Sequence, residues 1–86
     1  MSEKGKDLYI IECEGTDLIK IGRTNNPQTR ISNLQIGCPF KLNIILILKG
    51  EGHKEKELHK HLSEFLHERE WFKKECLKHL PLSLKL

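Results

Sequence analysis

The chain carries a phenol, an amine and a guanidinium at spacings that suggest a site for cutting phosphate esters. Tyr9 and Lys20 occupy matching places in two consecutive strand-like runs, and Arg30 follows them closely. A tyrosine can act as a general base, and a nearby lysine favours its ionised form. An arginine can donate two parallel hydrogen bonds to a phosphate. The three side chains therefore predict chemistry on a phosphodiester if the fold brings them together.

Glu55 is an acid that could complete this set. In a helix following Gly50, Glu55 shares the face of Leu58 and Leu62, whereas Glu57 lies on the solvated face. A carboxylate at the edge of a core suits one Mg²⁺ completed by waters and a substrate phosphate. The alternative is that Glu55 only complements the helix dipole, which would stabilise the helix by ~0.3–1 kcal/mol.

His59 lies one helical turn after Glu55 and shares its face. It could orient Tyr9 or the attacking water, or donate a proton to the leaving group. The alternative is a histidine satisfied at the edge of the core. For Arg30 the alternative is a surface side chain that shields Ile31, and for Tyr9 it is a core residue with its hydroxyl at the surface.

Positive charge is concentrated in one contiguous segment. Residues 18–50 contain Lys20, Arg23, Arg30, Lys41 and Lys49 but no Asp or Glu. Such a segment would attract phosphates in a sequence-independent, salt-sensitive way. Lys20, Arg23, Arg30 and Lys41 are therefore predicted to contact nucleic acid. A chance sorting of surface charge is the alternative.

The elements that position the first half of this site are predicted from turn signals and apolar patterns. Residues 7–22 read as a β-hairpin around Gly15-Thr16-Asp17. Asn26 is predicted to cap a short amphipathic helix that begins at Pro27 and ends near Gly37. The apolar run 42–48 is predicted to be the central strand, covered on both faces.

Helices are predicted for the remainder of the chain. One would run from His53 to about His67, burying a stripe of Leu58, Leu62, Phe65 and Leu66, and a short one would span residues 75–80. Trp71, between them, is predicted to be a core anchor, not a base-stacking platform. The expected fold is α+β, a small three-stranded antiparallel sheet flanked by helices in the order ββαβαα.

Bulk properties place the chain among intracellular globular proteins. Its 86 residues suggest a single domain, 1–86, with a core at about 7–80. No apolar run approaches the roughly 18 residues that would span a membrane. The N-terminal segment lacks the apolar stretch of a secretory signal, so a cytoplasmic or nuclear location is expected. Three widely spaced cysteines predict reduced thiols rather than a disulfide framework.

Taken in order, the motifs resemble those of the GIY-YIG nuclease superfamily, closest to its compact phage-type branch. Asp7-Leu8-Tyr9 stands in the place of the Gly-Ile-Tyr motif, and Lys20-Ile21-Gly22 in that of Tyr-Ile-Gly. The stretch from Thr24 to Arg30, then Glu55-x-x-Leu58-His59, then Glu70-Trp71-Phe72, follow as in that branch. The resemblance covers residues 8–72. Two positions depart from the motifs, Asp7 in place of Gly and Lys20 in place of Tyr.

The resemblance implies a DNA endonuclease that requires Mg²⁺ or Mn²⁺. Tyr9, assisted by Lys20, would deprotonate a water, Arg30 would stabilise the transition state, and Glu55 would hold the metal, with His59 beside it. Cleavage of both strands would require a homodimer, a second binding event or a partner protein. The alternative function is a catalytically inactive module of the same fold that binds nucleic acid or protein, since Asp7 replaces the motif glycine.

Overall fold

In a computed structural model that describes residues 6–80, the chain forms a five-stranded antiparallel sheet with two α-helices. The strands are β1 (Asp7–Cys13), β2 (Leu18–Thr24), β3 (Leu42–Leu48), β4 (Leu66–Glu68) and β5 (Trp71–Lys73), in the spatial order β3-β1-β2-β5-β4. The helices are α1 (Pro27–Ile36) and α2 (Glu55–His61). Three 3₁₀ turns cover Gly52–Lys54, Ser63–Phe65 and Lys74–His79.

The β1–β2 hairpin forms where the sequence predicts it. Gly15 adopts a φ of 86°, a left-handed conformation that glycine reaches without steric cost. The Thr16 hydroxyl donates to the Cys13 carbonyl at 2.7 Å and accepts from the Leu18 amide at 3.3 Å. These bonds satisfy the turn's backbone and fix the register of the two strands that carry Tyr9 and Lys20.

The two faces of the sheet build two separate cores. One face packs against α2 and the last 3₁₀ turn, and its buried residues are Leu8, Ile10, Ile19, Ile21, Leu58, Leu62, Phe72, Cys76 and Leu80. The opposite face, here called the tyrosine face, buries Tyr9, Ile11, Cys13 and Leu42, with Ile31 and Leu34 of α1 packed on them. The alternation of side chains along β1 therefore separates Tyr9 from the larger core.

The expectation of a three-stranded sheet is wrong, because two further strands lie between α2 and the last 3₁₀ turn. β4 and β5 form a small hairpin around Arg69, whose φ is 56°, and β5 pairs with β2. Each strand has only three residues, too few to establish a period of two in the sequence. Leu66 also fits the helical stripe, which is why the sequence predicts a helix that extends to about His67.

The apolar run β3 is an edge strand, not the predicted central one. Its pairing within the described residues is with β1, which itself lies between β3 and β2. Both faces of the run are partly packed. Leu46 and Leu48 contact the larger core, and Ile47 contacts the tyrosine face, but only Leu42 is buried and Ile44 is 53% exposed. The apolar run therefore indicated neither full burial nor position in the sheet.

The helices are shorter than the sequence predicts, except for α1. Asn26 caps α1 as expected, accepting from the Thr29 amide at 3.2 Å, and Pro27 follows it. The helix predicted over residues 53–67 is α-helical only at Glu55–His61, with a 3₁₀ turn on either side. The final helix is a 3₁₀ turn, Lys74–His79. Within residues 6–80, no helix has the length and apolarity that crossing a membrane requires.

Tyr9 and Gly22 pair across β1 and β2, and the tyrosine ring lies over the glycine. A Cβ atom at position 22 would stand 2.6 Å from the Tyr9 hydroxyl and 2.7 Å from its Cζ. Only a glycine leaves that space for a ring that is otherwise completely enclosed. The absent side chain of Gly22 thus fixes where the Tyr9 hydroxyl lies.

Gly22→Ala should therefore destabilise the fold by about 1–3 kcal/mol, the usual cost of overpacking a tight site. Gly37→Ala is the matched control, because a Cβ there meets nothing within 4 Å. Urea unfolding of both variants measures the free energies of unfolding. Equal stabilities of the two variants would show that the Tyr9 ring moves aside at no cost.

Candidate functional site

The strand register places Tyr9 and Lys20 on the same face of the sheet. Tyr9 lies opposite Gly22, and Ile11 lies opposite Lys20. Residues directly opposite each other in an antiparallel pair point to the same face. Tyr9 and Lys20 are therefore diagonal neighbours on the tyrosine face, a relation that places two Cα atoms roughly 7–8 Å apart. The sequence left this register open.

Helix α1 brings Arg30 to the Tyr9 hydroxyl. The Asn26 cap fixes the first turn of the helix, in which the Arg30 amide donates to the Asn26 carbonyl at 3.0 Å. From that turn Arg30 reaches close enough to the Tyr9 phenol for its charge and hydrogen-bonding capacity to favour the phenolate. The rest of the Arg30 side chain is exposed, so its remaining donors face solvent.

The surroundings of Tyr9 set the ionisation of its phenol. Burial raises the pKa of Tyr9 above its ordinary value, because the phenolate would lose its hydration. The hydrogen bond and positive charge of Arg30 lower the pKa, whereas the negative charges of Glu70 and Glu55 raise it. Burial is the largest of these effects. The group that favours the phenolate is Arg30 rather than Lys20, the residue expected from the sequence.

Lys20 is buried on the tyrosine face and neutralised by Glu70. Its Nζ lies 2.8 Å from Glu70 Oε1 and 5.4 Å from the centre of the Trp71 ring. The Glu70 carbonyl also accepts from the Ile21 amide, which ties the β4–β5 hairpin to β2. Glu70 is thus a site residue to which sequence reasoning gave no role. The sequence feature that could have identified Glu70 is its position directly before Trp71 in the Glu-Trp-Phe motif.

Glu55 lies at the edge of the same cluster, at the start of α2. Its side chain is 12% exposed, and its Oε1 accepts from Arg23 Nε at 3.3 Å. Glu57 is exposed, as the helical-face prediction required. Arg23 was predicted as a DNA contact, and the structure gives it a further role as the partner of the Glu55 carboxylate.

The His59 side chain on α2 is held in place by contacts with β2 and β5. Its Nε2 lies 2.9 Å from the Ile21 carbonyl, so this nitrogen carries the proton and donates to the strand. Its ring packs against Phe72 with 5.0 Å between ring centres. Glu55 Oε2 is 3.7 Å away from the same nitrogen, beyond a good hydrogen bond. These contacts match the satisfied core-edge histidine that the sequence left as the alternative.

A polar groove of about 400 Å³ extends from Arg30 along the start of α1. Its cations are Lys6, Arg23 and Arg30, and its neutral donors include Asn26, Thr29 and Asn33. No acidic side chain of the described residues lines it. A groove lined by three cations next to a buried phenol is suited to a phosphate chain.

Two predicted positions lie outside this cluster. Lys41 directly precedes Leu42, which pairs with Cys13, so Lys41 lies at the hairpin end of the sheet, away from Tyr9. Asp7, which stands in place of the motif glycine, accepts from the Gly50 amide at 2.8 Å. Its carboxylate therefore binds the backbone just beyond β3, and Tyr9 keeps its position opposite Gly22.

A divalent ion could bind this cluster only if water and substrate supplied most of its ligands. Within residues 6–80, no three His, Cys, Asp or Glu side chains converge to form a metal cage. Glu55 offers one carboxylate, which it shares with Arg23. Mg²⁺ commonly keeps several waters and binds through one or two carboxylates plus substrate phosphates. Glu55 therefore fits an ion whose remaining ligands come from water and substrate.

Comparison with known proteins identifies one family. The family model described as the T5orf172 domain matches residues 7–81, which include every residue of the cluster around Tyr9. No curated protein and no solved structure shows significant similarity to the chain.

Tyr9 is the single tyrosine of the chain, so its ionisation can be followed directly by the absorbance of tyrosinate. The folded protein should titrate above the ordinary value of about 10, and the urea-unfolded chain should titrate near it. Because the folded pKa is the higher one, the stability contributed by the protonated phenol is present below about pH 10 and is lost as pH rises through the folded pKa.

Arg30→Gln should raise the folded pKa of Tyr9 further, since the group that lowers it is removed. Lys41→Gln, at the far end of the sheet, is the control and should leave the titration unchanged. A folded wild-type midpoint at or below that of the unfolded chain would contradict the description of this site.

Proposed function

The chain belongs to the T5orf172 domain family, and for this member we propose a metal-dependent DNA endonuclease of the GIY-YIG type that hydrolyses phosphodiester bonds. The observation that supports the proposal most is the position of the exposed Arg30, which lines the cationic groove and is close enough to the buried Tyr9 phenol to lower its pKa. A phosphate in that groove would meet a charge-stabilising donor and a base at the same point.

Arg30 would act on the phosphate itself. Its guanidinium has several donors in a planar fork, and one of them is used by Tyr9. The others would bind the non-bridging phosphate oxygens, on which charge increases as a nucleophile attacks. Donors fixed in place before the reaction stabilise that charge without reorganisation.

Tyr9 would accept the proton of the attacking water. Its raised pKa keeps the phenol protonated near neutral pH, so the rate should increase with pH as the phenolate fraction grows. Lys20 would contribute indirectly. By neutralising Glu70 it cancels a negative charge that would otherwise raise the pKa of Tyr9 further.

Glu55 would hold the divalent ion, and Arg23 and His59 would hold Glu55 and its helix against β2. When bound, Mg²⁺ or Mn²⁺ would neutralise charge on the departing oxygen. One site of this kind cuts one strand. Cleavage of a duplex would thus need a homodimer, a second binding event or a partner protein.

A second candidate function, a DNA-binding module without turnover, is favoured by one observation. The Glu55 carboxylate is already neutralised by Arg23, an arrangement that needs no metal. Magnesium separates the two functions, because an enzyme nicks plasmid or single-stranded DNA only with a divalent ion, and a binding module changes only its mobility in a gel.

Glu55→Gln should abolish metal-dependent nicking while leaving the protein folded, since the change removes a charge and keeps the volume. Glu57→Gln, exposed on the same helix, is the matched control and should retain activity. Plasmid nicking with and without Mg²⁺, together with circular dichroism, measures both effects. If the Glu57 variant lost as much activity as the Glu55 variant, the assignment of the metal ligand would be wrong.

Arg30→Ala should lower the single-turnover rate at saturating protein by roughly 10²–10³, by analogy with the loss of one oxyanion donor. Its effect on DNA affinity should be far smaller. Lys41→Ala should show the opposite pattern, with a slightly weaker, less salt-dependent affinity and an unchanged rate of bound DNA cleavage. A wild-type rate for Arg30→Ala would reduce Arg30 to a phosphate contact.

A further inference from the structure

A second cleft opens on the tyrosine face near the hairpin turn, with a volume of about 280 Å³. Its walls include the rings of Trp71 and Phe40, and its inner surface includes Leu18 and Cys13. At about 30 Å³ for each water molecule, the cleft would hold about nine of them. That is more than the volume of one planar nucleobase, so such a ring fits in the cleft with space left for water.

The cleft lies beside the cluster around Tyr9. Trp71 pairs with Lys20 in the sheet, and Lys20 Nζ lies 5.4 Å from the centre of the Trp71 ring. Lys20 is buried and paired with Glu70, so its contact with the Trp71 ring positions that wall of the cleft. A strand with one phosphate at Arg30 could place a neighbouring base against Trp71.

The second aromatic wall is exposed and held in position. Phe40 is 47% exposed, although large hydrophobic side chains are usually buried. Gln35 of α1 fixes its loop, donating to the Phe40 carbonyl at 2.9 Å and accepting from the Leu42 amide at 2.8 Å. Lys41 directly follows Phe40 and is exposed, which adds a cation at this rim of the cleft.

The opposite rim is polar. His67 and Glu68 of β4 line the cleft beside Trp71. A carboxylate accepts hydrogen bonds from the exocyclic amino groups of bases, as in contacts between acidic side chains and cytosine. The cleft thus combines apolar walls, a polar edge and one exposed lysine, Lys41, next to Phe40.

We propose that this cleft binds an unpaired nucleobase of the DNA strand whose backbone lies in the cationic groove at Arg30. The inference rests on the proposed function and specifies its substrate: a single-stranded or locally unpaired segment with an amino-bearing base next to the phosphate that is cut. A base inside a duplex presents its faces to neighbouring bases, so it cannot enter such a cleft without leaving the stack.

This role changes the expectation for Trp71, which the sequence predicted to be a core anchor only. Trp71 is partly buried against the tyrosine-face core and also lines the cleft. One part of the side chain thus packs in the protein, and another part is available to a ligand.

Trp71 is the single tryptophan of the chain, so its fluorescence reports occupation of the cleft directly. Short oligo-dC and an abasic deoxyribose-phosphate chain of the same length would be titrated in metal-free buffer, where no cleavage interferes. Oligo-dC should quench Trp71 and bind roughly 5- to 150-fold more tightly than the abasic chain, the range expected for one stacked base.

Phe40→Ala should remove most of that difference and leave the affinity for the abasic chain unchanged. Ile36→Ala is the control, because Ile36 is 84% exposed at the end of α1 and does not line the cleft. Equal affinity for the two probes, or an equal loss for both in Phe40→Ala, would overturn the proposal.

The outcome is separable from that of the proposed function. Base-dependent quenching without metal-dependent nicking would support base binding in the cleft and contradict the proposed nuclease activity. Nicking with identical binding of both probes would support the nuclease activity and contradict base binding in the cleft.

Discussion

The close approach of the Tyr9 ring to Gly22 is the constraint on which the candidate site depends. The ring fills the space that a side chain at position 22 would occupy, so its hydroxyl can take few other positions. The hydroxyl is thereby fixed relative to β1 and β2, and Arg30 reaches it from the capped first turn of α1. The proposed role of Tyr9 as a base would require its hydroxyl to be held to within about 0.5 Å, and this buried sheet contact would supply that restraint.

Two of the three cations around the phenol are paired with acids. Lys20 pairs with Glu70, and Arg23 pairs with Glu55. Arg30 lies near a phenol that stays protonated near neutral pH, so its positive charge is not offset by that phenol. Binding a phosphate and a divalent ion together would add charges of both signs to this cluster, so the two ligands should favour each other's binding.

The sequence predicted the parts of the fold that have strong local signals. The β1–β2 turn, the Asn26 cap and the burial of Glu55 relative to Glu57 are all confirmed. It failed for β4 and β5, whose three residues each are too few for a pattern, and for β3, whose apolar run carries no information about its neighbours. Pairing between distant strands is decided by packing that a local pattern does not contain.

The structure brings Tyr9, Lys20, Arg30 and Glu55, the residues selected from the sequence, into or beside one cluster, and their roles stay predictions. The cation that favours the Tyr9 phenolate is Arg30, which the sequence did not indicate. The partners Glu70 and Arg23 depend on long-range pairs, β2 with β5 and β2 with α2, that no spacing shows. Pairs of this kind become visible only when the chain is folded.

Tyr9→Phe tests the central claim most directly, because it removes one oxygen and keeps the ring over Gly22. Its single-turnover cleavage of DNA with Mg²⁺ should fall by roughly 10²–10⁴, the contribution of a general base, with folding and DNA affinity retained. A Tyr9→Phe protein that cleaves at nearly the wild-type rate would contradict the account, since the phenol at the centre of the cluster would then have no part in the reaction.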